Sequence, residues 1–120
     1  LIRKAKDQKR SSKPQLRGGR DVTRMTHFLE ESESYGTGRL FAIIVIPPGG
    51  SIGYHTHTGE FEIFYILKGA GKVMDNGVEE ILHPGDSMTC LDGDNHSIEN
   101  IGDCDLEFVA IILNTKEKQK

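Results

Sequence analysis

Gly49-Gly50-Ser51-Ile52-Gly53-Tyr54-His55-Thr56-His57-Thr58-Gly59-Glu60-Phe61-Glu62 sets two imidazoles and a carboxylate close together between His55 and Glu62, and a third imidazole follows at His96. In an extended strand successive side chains alternate faces and rise about 3.4 Å each, so His55 and His57 point the same way and both rings can reach one ion. Tyr54 and Thr56 then face the other side. Glu62 enters from the next strand after the turn at Thr58-Gly59, and His96, opening a later strand, supplies the fourth donor. Imidazole nitrogen with one carboxylate oxygen suits a single divalent first-row ion per chain, and softness alone does not choose between manganese, the first expectation, and iron, nickel, cobalt or zinc. Four protein ligands on a six-coordinate ion leave two positions for water, a chelating substrate or dioxygen.

Outward from this stretch the pattern is all β. Arg39–Ile46 precedes it and stops at Pro47-Pro48-Gly49-Gly50, where the prolines cannot donate to a sheet ladder. Strand-like runs follow at Ile52–Thr58, Glu60–Leu67, Gly71–Met74, Val78–Leu82, Ser87–Leu91, His96–Asn100 and Leu106–Leu113, parted by recurrent Gly, Asn, Asp and Pro turn signals. Asn76-Gly77 between two short strands is the strongest of these, because both residues tolerate positive φ. Many short strands at this spacing predict a sandwich or barrel. Residues 22–34 read as a short strand followed by an irregular or single-turn helical piece. Leu40–Ile46 and Phe61–Leu67 are apolar at both parities, which predicts burial of the second face in a homodimer, with the chain's own N-terminal segment as the competing cover.

A length of 120 residues gives one domain, 21–120, preceded by a basic arm at 1–20 that lacks periodicity, ends in Pro14, Gly18 and Gly19, and reads as a flexible lead-in. The arm carries eight Lys and Arg against Asp7 alone, within a chain of net charge −3. No aromatic or repeated basic face accompanies those charges, so no nucleic-acid partner is expected, and the arm should fold against the acidic body of its own or a neighbouring chain. No apolar run approaches the roughly 20 residues of a membrane span, and no secretory signal is visible, so a cytoplasmic protein is expected. Cys90 and Cys104 form no CxxC motif and read as reduced, small, buried side chains.

The chain resembles the cupins, small double-stranded β-helix or jelly-roll barrels. Their first motif, G-x5-H-x-H-x(3,4)-E-x6-G, is met by Gly49, His55, His57, Glu62 and Gly69. Their second, G-x5-P-x-G-x2-H-x3-N, is met by Gly85, Gly93, His96 and Asn100, with Leu91 in place of the proline. The motif core spans about residues 38–113. The resemblance implies a cupin barrel with His55, His57, Glu62 and His96 as metal ligands, and it extends to the small single-domain members described as oxalate-decarboxylase-like.

Around the donors, Glu60 shares the face of Glu62 and is the candidate for moving protons beside a bound ligand, while its place at the strand start points to a solvated carboxylate. Phe64 and Ile66 share that parity and are expected to line the cavity. Arg39 is the best-placed arginine for a substrate carboxylate, His27 and His83 read as surface histidines, and Asn100 is expected to hold a neighbouring loop. Two classes of function follow. One is a metalloenzyme that decarboxylates or oxidises a small chelating carboxylate; the other is a non-catalytic cupin that binds or senses a small ligand or the metal, with sugar isomerisation a further alternative within the fold.

Overall fold

The computed structural model describes residues 1–116 and contains ten strands: β1 (Lys9–Pro14), β2 (Val22–His27), β3 (Gly38–Ile46), β4 (Ser51–Thr56), β5 (Glu60–Lys68), β6 (Gly71–Asp75), β7 (Val78–Leu82), β8 (Ser87–Cys90), β9 (Asn95–Asn100) and β10 (Leu106–Asn114). They form two antiparallel sheets, one of six strands in the order β1-β2-β3-β10-β5-β8 and one of four in the order β4-β9-β6-β7. The sheets close on each other as a jelly roll, and the chain passes between them at β3–β4, β4–β5, β5–β6, β7–β8, β8–β9 and β9–β10.

Alternation decides which face is buried. On β10, Leu106, Phe108, Ala110 and Ile112 point inward while Glu107, Val109 and Ile111 are half-buried on the outer face. β3 contributes Ala42, Ile44 and Ile46, β5 contributes Phe64 and Ile66, and β9 contributes Ile98 to the same core. Each such aromatic or branched side chain removed from water contributes about 1.5–3 kcal/mol before conformational entropy is counted. Phe64 and Phe108 meet edge to face with centroids 4.7 Å apart. Asn76 and Gly77 take φ of 49° and 84°, the left-handed pair that turns β6 into β7 without splaying the strands.

Two expectations are corrected here. Residues 1–20 are not without an element: Lys9–Pro14 pairs residue for residue with Val22–His27, and single 3-10 turns lie at Ala5–Asp7 and Leu16–Gly18. Nearly every β1 side chain is exposed, so the strand is held by its backbone ladder and leaves no hydrophobic period to read. Cys90 is buried as expected, but Cys104 is exposed. The helical piece expected after β2 is the 3-10 turn Glu31–Glu33. The arm's cations meet acidic partners, with Arg3 on Glu33 at 2.6 Å, Lys9 on Glu30 at 3.6 Å and Arg20 on Glu99. Among the described residues no helix is long and apolar enough to cross a membrane. The last four residues of the expected domain, 117–120, lie outside the described residues.

Candidate metal centre

Three strands from both sheets bring the four donors together. β4 carries His55, and His57 follows just past its end; β5 carries Glu62; β9 carries His96, directly across the ladder from His55. β4 is not regular. Ile52 pairs with Ile98 and His55 with His96, so β4 holds one more residue than β9 between the two pairs. This bulge at Gly53-Tyr54 resets the alternation: Ile52 and His55, three positions apart, both reach the interior, and Tyr54 is left outside at 51% exposure.

The donor atoms are close and mutually aimed. His57 Nε2 and His96 Nε2 each lie 3.0 Å from Glu62 Oε1. The imidazole Nε2 atoms are 3.1 Å apart for His57–His96 and 3.2 Å for both His55–His57 and His55–His96. All four donors fall within 4.8 Å of one another. His57, Glu62 and His96 are buried, and His55 is half-buried at the cavity.

The hydrogen bonds on the far side of two rings fix what these close nitrogens are. His55 Nδ1 lies 2.7 Å from the Gly53 carbonyl and His57 Nδ1 lies 2.6 Å from Glu60 Oε2. A carbonyl and a carboxylate only accept, so both Nδ1 atoms carry the proton, and in the neutral rings each Nε2 presents a lone pair to the shared centre. Lone pairs facing one another at 3.2 Å repel unless a proton or a cation lies between them. Burial, helped by the neighbouring histidines, pushes His55 down to about 4 against the pull of the Gly53 carbonyl. Burial also opposes charge on His57, but the Glu62 and Glu60 carboxylates outweigh it and hold this ring above its ordinary value. Burial acts against the charge on Glu62 too, and is overcome by the hydrogen bonds from His57 and His96, which keep it ionised. Phe64 stacks on the His96 ring at 5.0 Å and holds its plane, while His96 Nδ1 has no hydrogen-bond partner among the described residues.

These donors fit a divalent ion. Adjacent ligands of a six-coordinate ion with bonds of about 2.2 Å stand about 3.1 Å apart, whereas a tetrahedral zinc site with bonds of 2.0–2.1 Å spaces them at about 3.3–3.4 Å. Five of the six donor pairs here lie at 3.0–3.2 Å. The sixth, His55 with Glu62, is the long pair of the set, within the 4.8 Å that encloses all four.

A cavity of about 220 Å³ opens beside the donors, lined by His55, His57 and Glu62, by Ile44, Ile52 and Ile112, and by Lys13, Leu16, Arg17, Met25, His27, Arg39 and Leu40. Phe64 and Ile66, expected on its wall, do share Glu62's inward face but lie deeper: Phe64 backs His96 and Ile66 is fully buried in the core. Glu60 is not solvated. It is 5% exposed, its carboxylate accepts from His57 Nδ1 and receives both Nε (2.9 Å) and Nη2 (2.7 Å) of Arg39. Arg39 is thereby engaged on the protein itself. His83 is exposed in its turn as expected, whereas His27 lies on β2, accepts or donates to Ser11 Oγ at 2.8 Å and reaches the cavity. Asn100 holds the loop after β9 by donating to the Ile46 and Cys104 carbonyls and accepting from Gly102 N. Leu91, standing where the cupin motif has proline, is exposed, and the turn is closed without it by Asp94 N on the Leu91 carbonyl and Gly93 N on the His57 carbonyl.

Comparison with known proteins agrees with this geometry. The Cupin domain family matches residues 42–112. The Oxalate-binding protein of Thermotoga maritima is 46% identical over 98 residues, covering 82% of this chain and 81% of that protein. A crystal structure from Thermotoga maritima described as a predicted oxalate decarboxylase has a TM-score of 0.91 at 39% identity, over 96% of this chain and 100% of that one. The Schizosaccharomyces pombe Cnp3 cupin domain, with a TM-score of 0.72 at 15% identity over 90% of this chain and 71% of that one, shares the fold. On the barrel, the two motifs and these likenesses, the chain belongs to the cupin family.

Proposed function

We propose that the protein binds one divalent metal ion through His55, His57, Glu62 and His96 and, through it, captures a small chelating dicarboxylate of the size of oxalate. The observation that carries this reading is the set of donor spacings at 3.0–3.2 Å opening on a cavity of about 220 Å³. That volume equals about seven liquid waters, enough for a metal-bound small diacid with ordered water beside it. Bound there, a divalent ion supplies adjacent open coordination positions and Lewis acidity to a chelating carboxylate. Manganese is the first ion to try, with iron, nickel, cobalt and zinc also compatible with an imidazole-carboxylate donor set. The name of the 46% identical Thermotoga relative supports oxalate as the first ligand to try.

Capture ranks ahead of turnover because the residue expected to move protons, Glu60, is buried with its carboxylate shared between His57 and Arg39. In this reading Glu60 is a positioning residue that keeps the His57 proton on Nδ1. Titrating oxalate into metal-free and manganese-loaded protein by calorimetry tests the proposal, with carbon dioxide release and oxygen uptake recorded alongside. Binding only after loading, at one ion per chain, is the expected result. Equal binding without metal, or none with it, refutes the reading, and carbon dioxide release would promote decarboxylation over capture.

We also assign the outer face of the six-stranded sheet to a homodimer. Ile43 faces Val109, Val109 faces Tyr65 and Ile63 faces Ile111 across that sheet, a contiguous apolar patch. The N-terminal strands extend the sheet beside β3 and leave this face to a second copy. Free thiols at Cys90 and Cys104 support a reducing, cytoplasmic setting.

A further inference from the structure

One wall of the cavity comes from chain that precedes the family match at residue 42. Lys13, near the end of β1, and Arg17, in the Leu16–Gly18 turn, both line it. Three features seat that turn. Leu16 packs against the hydrophobic core from its half-buried position. Gln15 and Arg17 flank it with φ of 49° and 55°, left-handed conformations that cost a non-glycine residue about 1 kcal/mol or more and persist where the surroundings impose them. The turn also lies backbone against backbone on β4. A Cβ on Gly53 would meet the Arg17 carbonyl oxygen at 2.0 Å, and a Cβ on Gly19 would meet the Ser51 carbonyl oxygen at 2.1 Å. Glycine at both positions is what lets the turn close over the bulge that aims His55.

The end of β1 and the turn after it therefore each place one cation on the wall beside the donors. Arg39 in the same cavity is neutralised by Glu60, but neither Lys13 nor Arg17 has an ion-pair partner among the described residues. Their charge has only the cavity and solvent to face. Resting on the reading of the site as a metal-dependent dicarboxylate binder, we infer that Lys13 and Arg17 select a doubly charged chelator over a singly charged one, by meeting the negative charge that the ion leaves uncompensated. Each is exposed enough for its side chain to move onto a ligand, which puts the effect in the range of a solvent-screened ion pair, about two- to fivefold per cation.

The test compares oxalate with glyoxylate, two-carbon chelators of charge −2 and −1, on manganese-loaded protein. Affinities are measured by calorimetry for the unsubstituted chain, for Lys13→Gln, Arg17→Gln and the double variant, and for Lys6→Gln as a basic residue of the same segment outside the cavity. The ratio of oxalate to glyoxylate affinity should fall about two- to fivefold in each single variant and about 4- to 25-fold in the double, with manganese affinity unchanged and Lys6→Gln matching the unsubstituted chain. Unchanged manganese affinity also certifies that the variants fold. If the unsubstituted chain binds oxalate and the double variant keeps its ratio, the selection role is overturned while the capture reading stands. If the loaded, unsubstituted chain binds neither acid, the capture reading fails and takes this inference with it.

Discussion

Replacing Glu60 by glutamine probes the support behind the metal ligands. Three N–H groups converge on that carboxylate: His57 Nδ1 at 2.6 Å, Arg39 Nε at 2.9 Å and Arg39 Nη2 at 2.7 Å. Glutamine keeps the shape but offers one accepting oxygen and a donating NH2. With the amide oxygen turned to His57, the NH2 opposes Arg39 in a buried position; turned the other way, it donates to His57 Nδ1 and drives the ring proton onto Nε2, the ligand atom. A buried donor left without an acceptor costs about 1–3 kcal/mol, and loss of a carboxylate behind a metal-bound histidine costs about 10- to 100-fold in metal affinity. Glu60→Gln should therefore weaken manganese binding 10- to 100-fold while one ion per chain still binds at saturation, and the metal-free protein should melt about 4–12 °C lower at roughly 4 °C per kcal/mol. Calorimetric titration and thermal unfolding by circular dichroism read the two effects. A solvated Glu60, which its place at the strand start suggests, would instead leave affinity and melting temperature unchanged. Affinity and melting temperature both within error of the parent would return Glu60 to that description.

Metal uptake near pH 6.5 should release a proton, because the ion must displace the one that the Glu62 and Glu60 carboxylates favour on His57; titrations in two buffers of different ionisation enthalpy should give different apparent heats, and identical heats would refute it. For the metal-free fold, the raised His57 contributes stability below its unfolded value of about 6.5 that is lost as pH rises through its higher folded value, whereas the His55 contribution is full above 6.5 and is lost as pH falls toward about 4. His57→Ala should reduce bound metal well below one ion per chain by elemental analysis, and full stoichiometry would contradict the ligand assignment. Phe108→Ala, at a fully buried site against Phe64, should destabilise by about 3–5 kcal/mol in denaturant unfolding. Tyr65→Lys in the outer patch should shift a dimer toward monomer in light scattering, and a monomeric parent chain would dispose of the dimer.

The strands from β3 to β10 were legible to within two residues at their ends, because each is a short apolar or alternating run cut off by residues that cannot continue it: Pro47-Pro48 after β3, Asn76-Gly77 after β6, Pro84-Gly85 before β8. β1 was not legible, since an edge strand with exposed side chains is written in backbone hydrogen bonds that no side-chain pattern records. The four donors were readable from spacing, but the reason His55 points inward was not. Simple alternation from Ile52 would have turned it outward, and the mark that could have shown the extra residue was Gly53, since a glycine inside a strand signals a bulge or a close backbone approach. Glu60 was misjudged because its burial comes from Arg39 on β3 and from His57, neither its neighbour along β5. His27 had a usable signal, sharing the parity of Thr23 and Met25, which both face inward on β2.

The opposed shifts of His55 and His57 have one cause. Three imidazole nitrogens and a carboxylate oxygen, five of their six pairs 3.0–3.2 Å apart, are held by strands of two sheets, by Phe64 against His96 and by Glu60 against His57, so they cannot relax away from one another. One positive charge at the centre relieves that crowding, and a second would restore it as repulsion. In the metal-free chain a proton on His57 Nε2 is the best single charge, since it lies 3.0 Å from Glu62 Oε1 while the Nδ1 proton is already committed to Glu60. His55, with only a carbonyl behind it and the cavity in front, is then kept neutral. A proton thus occupies the electrostatic position of the ion. Because five of the six donor pairs already stand at the spacing of an octahedral ion, exchanging one for the other calls for little rearrangement, which is the physical content of a preorganised site.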